Sequence, residues 1–337
     1  IGGRVKKDAS TWDFDVDLGA EWLDYASSDF SNGNDMLSAI LDRTVNMPTI
    51  QEPNLAHYWS GSSMRYTPPG APSTDHRWVD FTWWDFLNQE LMHYLPPNTV
   101  LLNSVVKTID YGYQKPIVIC EDGRTYEGSY VIVTASIKTL QDGMISFVPS
   151  LPSRYQEAID DIEMGSGIKV FLEFTEKFFP DIFRLDHDTE TYNFKDCESS
   201  SHGVRYFYNP VYGQTSTKHI MGMFAYADIA DLYIGQPHNT IIRNVLGLLD
   251  HIFDGKASAT FVKGVVQDWS SEPYVRAAYT SFAPKEAVDR LRRPIDDKVF
   301  FAGESVFSKD SDWGFVQGAA LCGEDVAEDI VDAINGR

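Results

Sequence analysis

The stretch Val299-Phe-Phe-Ala-Gly-Glu304, followed after a loop by Trp313-Gly-Phe-Val-Gln-Gly-Ala319, decides how this chain is read. Apolar residues running into Gly303 predict a short buried strand over Val299–Ala302. From about Gly314 to Ile334 the apolar spacing is that of a helix. A buried strand that ends in glycine lets a ligand approach the backbone closely. The first turn of the next helix offers free N–H groups and a positive dipole end to an anion or a carbonyl. Glu304 then stands at the C-terminal edge of a strand, where α/β folds bind ligands. The same pattern also fits a purely structural strand–glycine–helix turn.

Upstream, Thr99–Leu102, Val105–Tyr111, Ile117–Glu121 and Tyr130–Val133 predict short strands, with Asp122-Gly123 as a hairpin signal among them. Lys169–Phe174 and His219–Phe224 also predict strands. Phe81–Leu95, Tyr155–Ile162 and Thr240–Phe253 predict helices; the first stops at Pro96-Pro97. Asp24–Asp80 is turn-rich, with one helical piece near Met36–Arg43. Strands mixed with helices over 337 residues predict a two-domain enzyme of α/β or mixed α+β class.

The chain has 49 Asp and Glu against 28 Lys and Arg, a net charge of −21. Nucleic acid is therefore not an expected partner, because phosphate binding needs a basic face. An acidic protein attracts cations such as protonated amines, and the same charge also serves solubility. No apolar run reaches membrane-spanning length, and no charged-then-apolar leader is visible, so no membrane partner is expected. Cys120, Cys197 and Cys322 lie far apart, without Cys-x-x-Cys or a Cys/His cluster. Neither a metal nor a disulfide framework is expected, and a reducing compartment fits the cysteines; a cytoplasmic or peroxisomal place is favoured, with a secreted form left open.

Phe301-Ala-Gly-Glu304, with the aromatic-x-x-Gly-Ala start of the last helix, resembles the C-terminal flavin signature of the FAD-dependent amine oxidases. That family includes polyamine oxidases, monoamine oxidases and histone lysine demethylases. Other segments agree in order: Ile1-Gly-Gly-Arg-Val5, Asp17-Leu-Gly-Ala-Glu-Trp22, Asp122–Gly128 with Val131–Thr134, Leu151-Pro-Ser153 with Met164–Phe174, and Trp269–Tyr279. The resemblance implies a two-domain flavin amine oxidase fold. Residues 1–30, 80–160 and 265–337 would form a Rossmann-like FAD-binding domain. Residues 31–79 and 161–264 would form a substrate domain with a mixed sheet flanked by helices. The family opens with strand–GxGxxG–helix, which binds the pyrophosphate. No GxGxxG occurs here, so the FAD-binding domain is incomplete at its N-terminus. That unit falls to a segment outside this sequence or to another chain, or the protein is a relic without it.

The resemblance also implies residue roles. FAD would be non-covalent, since Ala278 stands where monoamine oxidases carry the flavin-linking cysteine. Its contacts would be Gly2, Gly3, Arg4, Gly19, Ala20, Val106, Thr134, Trp269, Gly303, Glu304, Gly314, Phe315 and Val316. Arg4 suits the pyrophosphate, Glu304 a hydroxyl on the ribityl or phosphate side, and Val106 and Thr134 the adenosine half. Lys169 matches the lysine that holds a water against flavin N5; from the residues alone it also fits a strand-edge lysine reaching solvent. Tyr279 and Phe315 match rings that face the flavin and the amine, with a cation–π gain of ~1–2 kcal/mol. Trp269 and Trp313 fit either the flavin pocket or the core. Asp24 matches an acidic or polar position near the amine path of polyamine oxidases, and also fits a solvated loop. The implied reaction is oxidative deamination of an amine, of polyamine type, with hydride transfer to N5 and O2 reduced to H2O2. One alternative is an L-amino-acid oxidase, with Arg77 or Arg205 facing a substrate carboxylate. Another is an inactive binding or assembly subunit.

Overall fold

The computed structural model describes residues 2–24, 48–53, 57–59, 63–66, 75–185, 204–307 and 314–335. These form two compact units: Gly2–Tyr94 with Ser166–Ser271, and Leu95–Gly165 with Glu272–Arg337. The expected helix near Met36–Arg43 and Trp313 lie outside the described residues.

The first of these units is built on a seven-stranded sheet in the order Phe261–Asp268, Gly167–Phe174, His219–Tyr226, Val204–Tyr208, Ile182–Leu185, His57–Trp59, Met64–Tyr66. It is antiparallel except where Ile182–Leu185 runs parallel to His57–Trp59. Gly167–Phe174 is buried at every position. Its side chains alternate between faces. Ile168, Val170, Leu172 and Phe174 join one core with Ile241, Val245, Leu248 and Leu249 of the helix His238–Ile252. Each such side chain contributes about 1.5–3 kcal/mol by leaving water. The opposite face carries Lys169, Phe171 and Glu173, and there Phe171 packs with Trp12, Val16, Leu18 and Tyr208. Residues 2–24 therefore cover the lysine-bearing face of this sheet. That packing places 2–30 and 80–94, as far as they are described, in the sheet unit, a different partition from the one expected from the resemblance.

In the other unit, Val131–Val133 and Val299–Phe301 pair in parallel. Their core includes Tyr155, Ile159, Val288, Leu291, Cys322 and Val326, from the helices Ser153–Asp160, Lys285–Leu291 and Val316–Asn335. A four-stranded sheet runs in the order Thr125–Glu127, Ile117–Cys120, Val106–Asp110, Ser146–Val148. Glu163–Met164 pairs with Thr280–Phe282.

Three local expectations are corrected. Thr99–Leu102 forms no strand: Leu101 and Leu102 are 49% and 57% exposed, and the Thr99 N–H bonds back to the Pro96 carbonyl in a turn. β-propensity without a cross-strand partner does not hold a strand. The Asp122-Gly123 turn pairs Ile117–Cys120 with Thr125–Glu127, and Tyr130–Val133 goes instead to the parallel pair. Phe81–Leu95 is helical only from Trp83, capped by Thr82, and passes from α through a π turn into a 3-10 turn. Among the described residues, no helix is long and apolar enough to cross a membrane.

Candidate functional site

Strand alternation turns Lys169 toward the face covered by residues 2–24, and the side chain is 2% exposed. Its Nζ donates to Glu21 Oε2 at 2.6 Å and to the Asp17 carbonyl at 3.2 Å. The ammonium also lies 4.8 Å from the centre of the Trp22 ring and 6.0 Å from Phe171 and from Tyr208, within cation–π reach. Trp22 in turn packs against Tyr206, Tyr208 and Phe224. Phe224 is directly opposite Lys169 in the ladder, and Tyr206 is opposite Phe224. The lysine therefore points into an aromatic, water-poor enclosure, with its ammonium on the Glu21 carboxylate. An ammonium has three donors, and two are assigned, leaving one for a water.

Glu21 is the hub. Besides Lys169, it accepts from Tyr208 Oη at 2.6 Å and from Arg77 Nη1 at 3.1 Å. Burial pushes the Glu21 carboxyl up, but the Lys169 and Arg77 charges and the bonds from Lys169 and Tyr208 outweigh it and hold the carboxyl below its usual range. Arg77 is spent on protein groups. Its Nε binds Glu52, Nη1 also reaches the Pro210 carbonyl at 3.0 Å, and Nη2 reaches the Asn209 carbonyl at 3.2 Å. For Glu52 burial wins over the Arg77 charge, and its carboxyl rises to about 7. The Asp17 carboxyl is raised well above the ordinary range, first by burial and then by the Glu21 charge. A small cavity of about 20 Å³, lined by Asp17, Glu21, Arg77 and Thr82 among others, adjoins this network. It has room for a water or so.

Four other expected residues of this unit lie together. The Ala20 N–H donates to the Arg4 carbonyl, and the Trp269 indole N–H to the Leu18 carbonyl, so Arg4, Gly19, Ala20 and Trp269 meet in one place. Gly2 and Gly3 make the turn just before Arg4. Asp24 pairs with Asp75 through its backbone, and its side chain lies outside the described part of the structure. Arg205 is buried, with Nη1 3.4 Å from Tyr233 Oη.

The second unit brings Tyr279, Gly314, Phe315 and Glu304 together. The Tyr279 ring lies against the Gly314 backbone, 3.1 Å from where a Cβ would be. The Gly314 N–H donates to Glu304 Oε2 at 2.8 Å, and Ser305 Oγ donates to Glu304 Oε1 at 2.9 Å. Thr280 Oγ1 continues the chain to Ser305 at 2.8 Å. Phe315 remains 38% exposed, Val316 opens the last helix, and Thr134, exposed, directly follows the strand Val131–Val133. Val106 begins the strand Val106–Asp110, and Ala278 is buried.

The profile of the flavin containing amine oxidoreductases matches residues 85–331, well over half of the sequence. The chain belongs to that family. Polyamine oxidase 6 of Oryza sativa subsp. japonica is 24% identical, over 92% of this chain and 59% of its own length. Polyamine oxidase 1 of Zea mays is 27% identical, over 68% of this chain and 45% of its own. Lysine-specific histone demethylase 1B of Mus musculus is 26% identical, over 61% of this chain and 25% of its own. The chain thus spans less than two thirds of each of these relatives. A putrescine oxidase redesigned in its cofactor binding has the same fold, with a TM-score of 0.74 at 15% identity, covering 99% of this chain and 91% of that one.

The residues around Gly303 in this family member fit a flavin. At Gly303, with φ at 142°, a Cβ would meet nothing within 4 Å among the described residues, and the Glu304 carboxylate follows directly in sequence. The last helix, Val316–Asn335, follows in the chain, and the first N–H groups of a helix have no partner within it. Sequence reasoning missed Glu21, Tyr208, Tyr206 and Phe224, and offered Arg77 for a different task. The available signal was charge: Glu21 is a lone ion in Leu18-Gly-Ala-Glu-Trp-Leu23.

Proposed function

We propose that this chain is the larger part of an oxidase that deaminates amines, of polyamine type, with non-covalent FAD. When bound, FAD supplies the two-electron acceptor, taking a hydride from the carbon next to nitrogen and passing the electrons to O2 as H2O2. The iminium product hydrolyses to an aldehyde and a shorter amine. Lys169 holds a water with its remaining N–H and gives or takes a proton at Nζ. The rings around it exclude bulk water and favour a cationic neighbour. In the other unit, Glu304 braces Gly314, which sets the backbone that carries Phe315 beside Tyr279; both rings serve to orient an amine against the flavin. Arg4, Gly19 and Trp269 are assigned to the cofactor, as are Gly303 and Val316.

The observation that carries this reading is the buried Lys169 ammonium inside an aromatic enclosure, in a chain of the flavin amine oxidoreductase family. The polyamine class rests on the polyamine oxidases among its relatives and on the −21 net charge. The form of the amino-acid oxidase alternative that relies on Arg77 is weakened because every arm of Arg77 is engaged by protein oxygens.

The test is reconstitution with FAD, followed by peroxide detection over spermine, spermidine, putrescine and L-amino acids. Bound-flavin absorbance, and peroxide from a polyamine that Lys169→Met lowers by about 100-fold, are expected. Peroxide from L-amino acids instead moves the substrate. A protein that takes up no flavin and makes no peroxide overturns the reading.

A further inference from the structure

We infer that Glu21 is the positioning residue for Lys169: its carboxylate, braced by Arg77 and Tyr208, sets where the ammonium stands. This rests on the proposed catalytic use of Lys169.

A lysine side chain has four rotatable carbons and can place its charge over a wide arc. Here the arc is closed. Glu21 Oε2 holds Nζ at 2.6 Å, the Asp17 carbonyl holds it at 3.2 Å, and the Trp22 ring lies 4.8 Å away. A tether positions only if it is itself fixed, and Glu21 is. Tyr208 Oη shares the oxygen that binds Lys169, while Arg77 takes the other oxygen. Arg77 is anchored in turn by Glu52 and two backbone carbonyls. The backbone under Glu21 is equally constrained. A Cβ at Gly19 would stand 1.7 Å from the Arg4 carbonyl oxygen, so only glycine allows this turn to lie down there. The Leu18 carbonyl is pinned by the Trp269 indole.

The charged and titratable groups facing the ammonium are Glu21, Asp17 and Tyr208, with Arg77 and Glu52 behind Glu21. Removing the Glu21 charge alters the field and the geometry at Nζ but leaves the aromatic enclosure in place.

Two measurements test this. The first needs no turnover: a double-mutant cycle of chemical stability on the purified protein with Glu21→Gln, Lys169→Met and both. The pair is coupled if the double variant loses clearly less than the sum of the singles; additive losses overturn the proposal. The second uses the FAD-loaded protein with spermidine. Glu21→Gln is expected to lower kcat at least tenfold while KM changes less than twofold. Glu21→Gln added to Lys169→Met should cost nothing more. Should Glu21→Gln fail to fold, Tyr208→Phe removes one brace only, and a three- to tenfold loss of kcat with unchanged KM is expected. If Lys169→Met lowers turnover but Glu21→Gln and Tyr208→Phe do not, the positioning role is wrong. If Lys169→Met itself is silent, the catalytic reading of Lys169 falls instead, and the stability cycle still reports the pairing.

Discussion

Around Lys169 the chain holds its side chains with buried ions: Lys169, Glu21, Arg77 and Glu52 form a continuous chain of opposite charges. Around Glu304 it uses backbone and neutral donors, with Gly314 and Ser305 on the carboxylate, Thr280 behind them and Phe315 partly in solvent. The first arrangement depends on every member, since a buried charge left without its partner keeps its full desolvation cost. The second can lose a hydroxyl or a ring and keep its backbone.

The contrast breaks first at Arg77. Arg77→Leu leaves Glu21 and Glu52 buried without their shared cation, and a stability loss of about 3–5 kcal/mol is expected by chemical denaturation. Thr280→Val, which removes one neutral bond in the other unit, should cost about 1 kcal/mol. Similar losses for the two would erase the distinction drawn here.

A pH series sharpens it. The folded Glu52 carboxyl sits at about 7 against an ordinary 4.5, so the folded state binds the extra proton between those values. A raised acid contributes stability below 4.5 and loses it as pH climbs through 7, by roughly 3 kcal/mol in all. Glu21 works the other way: its lowered carboxyl stabilises above 4.5 and loses that contribution only as pH falls below it. Glu52→Gln should therefore flatten the decline in stability between pH 4.5 and 7 while leaving the acid limb in place. An unchanged decline in the variant would remove Glu52 from the account.

These two regions also differ in how far the sequence announced them. The strand–glycine–helix of residues 299–319 is legible because adjacent positions must satisfy one backbone path: apolar residues for the strand, glycine where a Cβ is unwelcome, then helical spacing. Lys169 stands out as an ion within an apolar strand. Its partners do not. Glu21, Glu52, Arg77 and Tyr208 come from four separate segments, and only the topology that lays residues 2–24 and the Asp75–Trp78 strand over the sheet brings them together. The error at Thr99–Leu102 has the same origin: strand propensity is local, and the partner that makes a strand is not.

Phe315 gives the smallest effect on stability and the most direct measure of what the second region is for. A ring 38% exposed contributes little to the core, so Phe315→Leu should change the unfolding free energy by no more than about 0.5 kcal/mol. The segment's backbone stays set by the Gly314 N–H on Glu304, which the substitution does not touch. If the ring serves an amine rather than the fold, turnover of spermidine should fall about tenfold, equivalent to the ~1–2 kcal/mol of a cation–π contact. Phe315→Tyr, which keeps the ring and adds a hydroxyl toward solvent, should retain most of the rate. A large stability loss with unchanged turnover in Phe315→Leu would make this ring a packing residue. The two regions would then differ in function as well as in the forces that hold them.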